Sequence, residues 1–242
     1  MRGKMFAVVL ASGLVAAPSA QAQKFWQKKD YQRWSKQECR ELLTKSPWAD
    51  SYTIGTVVFQ VVGEESAVAG REMAPQITYL VRFLSARPIR QALVRQPQIE
   101  RKYEELPPEQ KQALDEQYGK FIAAEFPQTV LVQVLYSTNS QEYDRELTRY
   151  WQSQSPEALK QQIYLIGGPG RIAPLGVQVA GGAGGEIQLI FPREFEGRPM
   201  AGPDDKHLAL EFLSPAIGIL PSERVYIRFE IKKMKVDGDV IY

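Results

Sequence analysis

The densest group of side chains suited to acid–base or metal chemistry lies near residue 207. Asp204, Asp205, His207 and Glu211 follow one another within a short segment, and carboxylates beside an imidazole can hold a hard cation or orient a general base. However, the two aspartates follow a Gly-Pro pair, which is typical of a turn. In a strand, alternation would place His207 and Glu211 on one face and the apolar side chains of Leu208, Leu210 and Phe212 on the other. We therefore predict solvated side chains and no metal site, with Asp204, Asp205 and His207 as the alternative ligand set.

A second candidate is a concentration of positive charge. It consists of Arg82, Arg87, Arg90, Arg95, Arg101 and Lys102, opposed within that stretch only by Glu100. Arg87 and Arg90 stand three residues apart, a spacing that lets two guanidinium groups share a helix face and bind a phosphate or carboxylate. We take Arg87, Arg90 and Arg95 as the candidate anion-binding residues. Ion pairing with the neighbouring glutamates is the alternative interpretation.

Several chemistries are excluded by counts and context. The chain has one Cys and one His, which exclude an intrachain disulfide and a Cys/His zinc cage. The segment from Gly168 to Ala173 matches a dinucleotide-binding pattern, but Pro174 and the glycines that follow exclude the helix this site needs. Nucleophile-elbow and zinc-protease motifs are absent from the sequence. We predict no cofactor and a buried, inert Cys39.

The elements that must position these residues divide the chain into two parts. Before residue 128, helices alternate with strands, including strands over 52–62 and 76–84 and a helix that starts at Pro88 and stops before Pro97. After it, short strands separated by Gly/Pro-rich turns dominate. The pattern predicts an α+β fold: N-terminal helices and strands, followed by a mostly antiparallel β-sandwich-like or barrel-like C-terminal half.

Residues 1–22 have the three parts of a secretory signal. Arg2 and Lys4 precede a short apolar stretch, and Ala20-Gln21-Ala22 predicts cleavage after Ala22 and a secreted or periplasmic protein. No later stretch is apolar and long enough for a membrane span. We expect residues 23–242 to form a single compact globular domain; a subdivision into 23–127 (mixed α/β) and 128–242 (mainly β) is the alternative.

The charge balance argues against nucleic acid as a partner. The whole chain has 30 Lys and Arg against 28 Asp and Glu. Cleavage would remove Arg2 and Lys4 and leave 28 of each sign. A general nucleic-acid binder needs a surplus of cations to neutralise phosphates.

Short segments also resemble a group of uncharacterised secreted bacterial proteins. The resemblance lies at Trp34-Ser35-x-x-Glu38, Leu42-Leu43, Ser46-Pro47-Trp48-Ala49, Ser85-Ala86-Arg87-Pro88 and the segment that begins Lys232-Lys233-Met234. It implies export and a shared fold, and it carries no activity, cofactor or catalytic residue.

Three hypotheses of function follow. The leading one is an exported, non-catalytic protein of the bacterial cell envelope that acts by binding or assembly, with an envelope protein or an anionic envelope component as partner. The second is an exported carboxylate-dependent hydrolase that uses Asp204, Asp205 and Glu211 with His207. The third is a barrel that binds a small ligand.

Overall fold

The computed structural model describes residues 24–55, 74–180, 185–202 and 204–242. The predicted export signal lies outside these ranges, as do the predicted strand beyond Gly55 and most of the loop predicted over 63–75. The described helices are α1 (Phe25–Lys28), α2 (Lys36–Thr44), α3 (Arg87–Glu100), α4 (Pro108–Ala123), α5 (Gln141–Ser153) and α6 (Pro156–Lys160). Short 3₁₀ turns occupy Tyr31–Arg33, Tyr103–Glu105 and Ile231–Lys233.

The described strands form two larger sheets and two ribbons, and every pairing between them is antiparallel. Sheet A has five strands, in the order β1 (Ala49–Gly55), β2 (Gln76–Phe83), β3 (Thr129–Thr138), β7 (Gly185–Pro192) and β6 (Gly176–Ala180). Sheet B has four, in the order β11 (Glu223–Glu230), β10 (His207–Ser214), β4 (Tyr164–Gly167) and β5 (Gly170–Ile172). The ribbons pair β8 (Glu194–Phe195) with β9 (Arg198–Pro199), and β12 (Lys235–Val236) with β13 (Asp239–Val240).

The core lies between the two sheets. Along β2, every second residue from Ile77 to Phe83 is buried, as expected for a strand with one face inward. Tyr79 packs edge-on against Phe212 of β10, with ring centroids 5.0 Å apart. The Tyr79 hydroxyl and the Ser214 hydroxyl form a buried 2.8 Å hydrogen bond, and burial raises the pKa of Tyr79.

This architecture confirms the predicted α+β class and its antiparallel C-terminal strands. The barrel-like form of the prediction is wrong, because neither sheet closes on itself within the described residues. Short turns between antiparallel strands suit an open sandwich equally well. Turn spacing in the sequence therefore does not distinguish the two forms.

The sequence Ser35-Lys36-Gln37-Glu38 has the pattern of a capping box, which predicts a helix start, and α2 begins there. The Ser35 hydroxyl accepts from the Glu38 backbone N–H at 3.2 Å, and the Glu38 carboxylate accepts from the Ser35 N–H at 2.7 Å. This capping box satisfies two of the free N–H groups at the helix start. Cys39, Leu42 and Leu43 then share the buried face of α2, as predicted for Cys39.

Helix α3 does not stop before Pro97, as the sequence predicts, but continues to Glu100. A proline ring removes one backbone N–H donor and crowds the preceding turn. Val94 and Gln98 are buried on either side of this position, and the Arg101 N–H returns to the Pro97 carbonyl at 2.9 Å. Packing of the buried face of α3 therefore stabilises the helix across Pro97, although a proline usually ends a helix.

No helix among the described ranges combines the length and apolar character that crossing a bilayer requires.

Candidate functional site

The predicted arginines do not come together as one anion site. Arg87 is exposed at the start of α3, whereas Arg90 is only 4% exposed. The Arg90 guanidinium donates to the carbonyls of Leu84 (2.9 Å), Ser85 (2.6 Å), Ile122 (3.0 Å) and Ala124 (2.8 Å). Burial and the nearby Arg87 lower the pKa of Arg90 to about 10. Its donors are thus used to hold α3 against the end of α4.

Arg95 also has protein partners. Its Nε donates to the Trp34 carbonyl at 3.3 Å, and its Nη1 pairs with the Glu104 carboxylate at 3.3 Å. Of the three candidates, Arg87 is the one whose guanidinium makes no hydrogen bond within the described residues.

The acidic group near His207 does not form a metal cluster. Asp205 accepts from the Gly202 N–H at 2.8 Å, an interaction that closes the turn before β10. His207 is exposed and lies across from Glu230 in the sheet. Over the described ranges, no three His, Cys, Asp or Glu side chains converge in a way that could hold a metal ion. Asp204 and Asp205 line only a small depression of about 180 Å³.

Glu211 lies farther along β10 and is largely buried, contrary to the solvated position that the sequence predicts. Its Oε1 lies 2.5 Å from Arg171 Nη2 and 3.2 Å from Arg224 Nη1. Strand alternation does place Glu211 away from the core, as predicted. Arg224 of the adjacent strand β11 and Arg171 of β5, two strands away, then cover the Glu211 carboxylate. Alternation along a single strand cannot reveal these contacts.

A larger site forms where three distant parts of the chain meet. The start of α1, the turn before β1 and the segment from β11 to β12 enclose a cleft of about 860 Å³. Contacts between these parts fix its shape: Gln27 Nε2 donates to the Lys235 carbonyl at 3.0 Å, and Trp48 Nε1 donates to the Ile241 carbonyl at 2.6 Å. The Trp26 ring packs edge-on against that of Trp48, with centroids 5.7 Å apart.

The cleft is strongly basic, and we call it the lysine cleft. Its cations are Lys24, Lys45, Arg228, Lys232, Lys233 and Lys235. The two carboxylates that line it are those of Asp50 and Glu230. Asp50 pairs with Lys45 at 2.7 Å, and Glu230 pairs with Lys233 at 2.6 Å and with Lys232 at 3.6 Å.

Three cations of the lysine cleft remain without an ion pair in the part of the chain that the structure describes: Lys24, Arg228 and Lys235. The Lys24 ammonium lies 5.1 Å from the centre of the Trp26 ring. Burial and the nearby Lys233 lower the pKa of Lys24, and Glu230 raises it. An anion in the cleft would relieve this repulsion between ammonium groups.

No protein-family model, curated protein or solved structure matches the chain significantly. The chemistry of the lysine cleft must therefore follow from its geometry. A half-buried Trp26 ring, the partly desolvated Lys24 ammonium and a volume within the range of small-ligand sites suit the binding of an anion with an apolar or ring-shaped part.

The sequence shows only part of the group of basic residues that forms the lysine cleft. Lys232, Lys233 and Lys235 are close together in the chain, but they share the cleft with Lys24 and Lys45, which lie at the other end. A fold is needed to join the two ends, and charge counts along the chain instead favour the stretch around Arg90.

Proposed function

We propose that the protein is an exported, non-catalytic component of the bacterial cell envelope that binds an anionic envelope component in the lysine cleft. The observation that carries the proposal is the excess of cations there, three of them without an ion pair among the described residues. Cations that the fold brings together in one cleft attract an anion electrostatically.

The hydrolase hypothesis has less support. A carboxylate-dependent hydrolase needs a pair of carboxyl groups facing a shared space for substrate or water. Glu211 is held by Arg171 and Arg224, and Asp205 is held by the Gly202 N–H. The barrel hypothesis loses its basis with the open sheets.

Calorimetric titration of the purified protein with trigalacturonate and with tripolyphosphate tests the binding proposal. We expect saturable binding of at least one of these anions, weakening as salt is added because part of the attraction is screened. Replacing Lys24→Gln and Lys235→Gln together should lower the affinity by about tenfold or more, since each removes a cation with no competing ion pair.

A matched variant, Lys120→Gln with Arg145→Gln, removes the same charge from exposed positions on α4 and α5. Its affinity should equal that of the parent protein. If neither anion binds, or if the two double variants weaken binding equally, the lysine cleft is not the site.

Export is tested separately by the mass of the protein recovered from the envelope fraction of expressing cells. Cleavage after Ala22 leaves a chain that begins at Gln23. Recovery of the full 242-residue chain in the cytoplasmic fraction would contradict the proposed location.

A further inference from the structure

Sheet B carries an exposed face that continues from the lysine cleft. Leu208, Leu210 and Phe212 of β10 point into the core, so alternate side chains of sheet B point outward. We call five of these outward side chains the arginine–tyrosine face. Its members are Tyr164, Arg171, Arg224, Tyr226 and Arg228.

This face has a net positive charge. Three arginines stand against two carboxylates on this side of the sheet: Glu211 lies between the guanidinium groups of Arg171 and Arg224, and Glu230 pairs with Lys232 and Lys233. The side chains of Arg171 and Arg224 remain 49% and 66% exposed. A guanidinium has five N–H donors in a planar fork, so each arginine keeps donors for a ligand after pairing with Glu211. Arg228 forms no ion pair within the described residues and adds a further cation.

Two tyrosine rings belong to the same row of the sheet. Tyr164 of β4 and Tyr226 of β11 both lie directly across from Glu211, one on each side. Two strand spacings separate them, about 10 Å between backbones. The Arg171 guanidinium lies 3.8 Å from the centre of the Tyr164 ring, and Tyr226 is 39% exposed. The Tyr226 ring and the guanidinium planes provide stacking surfaces, and the Tyr226 phenol provides a hydrogen bond. The Tyr164 hydroxyl already donates to the Gln161 carbonyl at 2.6 Å.

The face and the cleft share a strand. Arg228 and Glu230 line the lysine cleft, and both alternate with the buried Phe229 on β11, so they point to the outer side of sheet B. A ligand held in the cleft at Arg228 can therefore extend along the same strand towards Tyr226 and Arg224.

We propose that the ligand of the lysine cleft is an acidic polysaccharide whose chain runs from the cleft across the arginine–tyrosine face. The inference rests on the proposed anion-binding function and names its ligand class. Repeated sugar rings match the planar side chains, and repeated carboxylates match the arginines. The sugar hydroxyls match the exposed Tyr226 phenol, which a ligand with phosphate on every unit would not use as well.

A single-stranded nucleic acid is the competing polymer, since its bases also stack on aromatic rings. The proposed export favours the polysaccharide, because the ligand of an exported envelope protein is a component of the envelope.

Titrations with galacturonic acid oligomers of increasing length test the inference. We expect the decamer to bind about tenfold or more tightly than the trimer, because contacts on the face add to those in the cleft. A face variant, Tyr226→Ser with Arg224→Gln, should remove this gain and leave trimer binding unchanged. Arg171 still pairs with Glu211 in this variant, so the carboxylate does not lose all its partners.

The matched control is Tyr118→Ser with Arg145→Gln, which changes the same residue types on α4 and α5. It should bind both oligomers as the parent protein does. Equal affinities for trimer and decamer, or a face variant that keeps the gain, would overturn the extended site and leave the cleft proposal intact. Absence of trimer binding, with tripolyphosphate still bound, would overturn the assignment to an acidic polysaccharide, and absence of binding of both anions would overturn the cleft proposal itself. A maltodecaose or a thymidine decanucleotide that binds as tightly as the galacturonate decamer would overturn the assignment to an acidic polysaccharide.

Discussion

The guanidinium of Arg90 donates to the backbone carbonyl of Ile122 at 3.0 Å, across 32 residues of sequence. Ile122 lies in the last turn of α4, where helix carbonyls have no partner within the helix. The same guanidinium reaches the carbonyl of Ala124, just beyond that helix, at 2.8 Å. Arg90 therefore acts as a cap from another element, and it fastens α3 to the end of α4.

Replacing Arg90→Met should strongly destabilise the protein. The substitution keeps much of the buried aliphatic volume but leaves four carbonyl groups without this donor. Each unsatisfied buried group costs about 1–3 kcal/mol, so we expect the free energy of unfolding to fall by at least about 3 kcal/mol. Urea unfolding followed by tryptophan fluorescence measures the change. Arg87, which is exposed, serves as the control. Its substitution Arg87→Met should change the free energy of unfolding by less than about 0.5 kcal/mol.

Gly185→Ala should also destabilise the fold, for a steric reason. Gly185 lies across from Tyr136 in sheet A, and a Cβ atom there would come within 1.7 Å of the tyrosine ring. Overpacking of this kind typically costs about 1–3 kcal/mol. Thermal unfolding should show a lower midpoint. An unchanged midpoint would mean that the Tyr136 ring can move aside freely.

Gly119→Ala provides the opposite result for the same chemical change. Gly119 lies inside α4, and beyond its own helix backbone and chain neighbours nothing lies within 4 Å of the position that an alanine methyl group would occupy. Alanine in an exposed helix interior is about 0.5–1 kcal/mol more favourable than glycine. We expect a higher unfolding midpoint, measured under the same conditions as for the Gly185 variant. A lower midpoint would indicate that α4 is not helical at this residue in solution.

The sequence predicts local features better than the site. The capping box at Ser35 and the alternation along β2 depend on neighbours in the chain, and both appear as expected. The sequence predicts Arg90 as an anion ligand because charge runs are visible along a chain. Its partners are carbonyl groups that the fold brings to it. The lysine cleft likewise joins Lys24 to Lys235, a proximity that no short-range pattern encodes.

The Cys39 thiol should be unreactive in the folded protein. It is fully buried on α2, and burial raises the pKa of Cys39 to about 11. Thiolate is the reactive form, and an ordinary thiol has a pKa of about 8.5. At pH 8, we expect slow modification by a disulfide reagent in buffer and rapid modification in urea. Because the chain has a single Cys, the absorbance change reports this residue alone; rapid modification without urea would contradict the buried position.

The protonation of Lys24 should couple anion binding to pH. Burial and Lys233 lower the pKa of Lys24 in the free protein, against the opposing effect of Glu230. A bound anion favours the charged ammonium and so raises this pKa. At a pH between the pKa of Lys24 in the free protein and its pKa in the complex, binding of the anion is accompanied by uptake of a proton. The affinity is therefore greatest below the pKa of the free protein and falls as the pH rises through it.

Lys24→Arg separates this titration from charge alone, because a guanidinium stays protonated over the accessible pH range. Calorimetry of trigalacturonate binding at mildly alkaline pH, in buffers with different ionisation enthalpies, measures the proton uptake. We expect uptake by the parent protein, less uptake by the Lys24→Arg variant, and an affinity for this variant that declines only at higher pH. Lys120→Arg is the matched control and should behave as the parent does. Equal proton uptake by all three proteins would show that Lys24 is not the group linked to binding, since its titration is the one that the substitution removes.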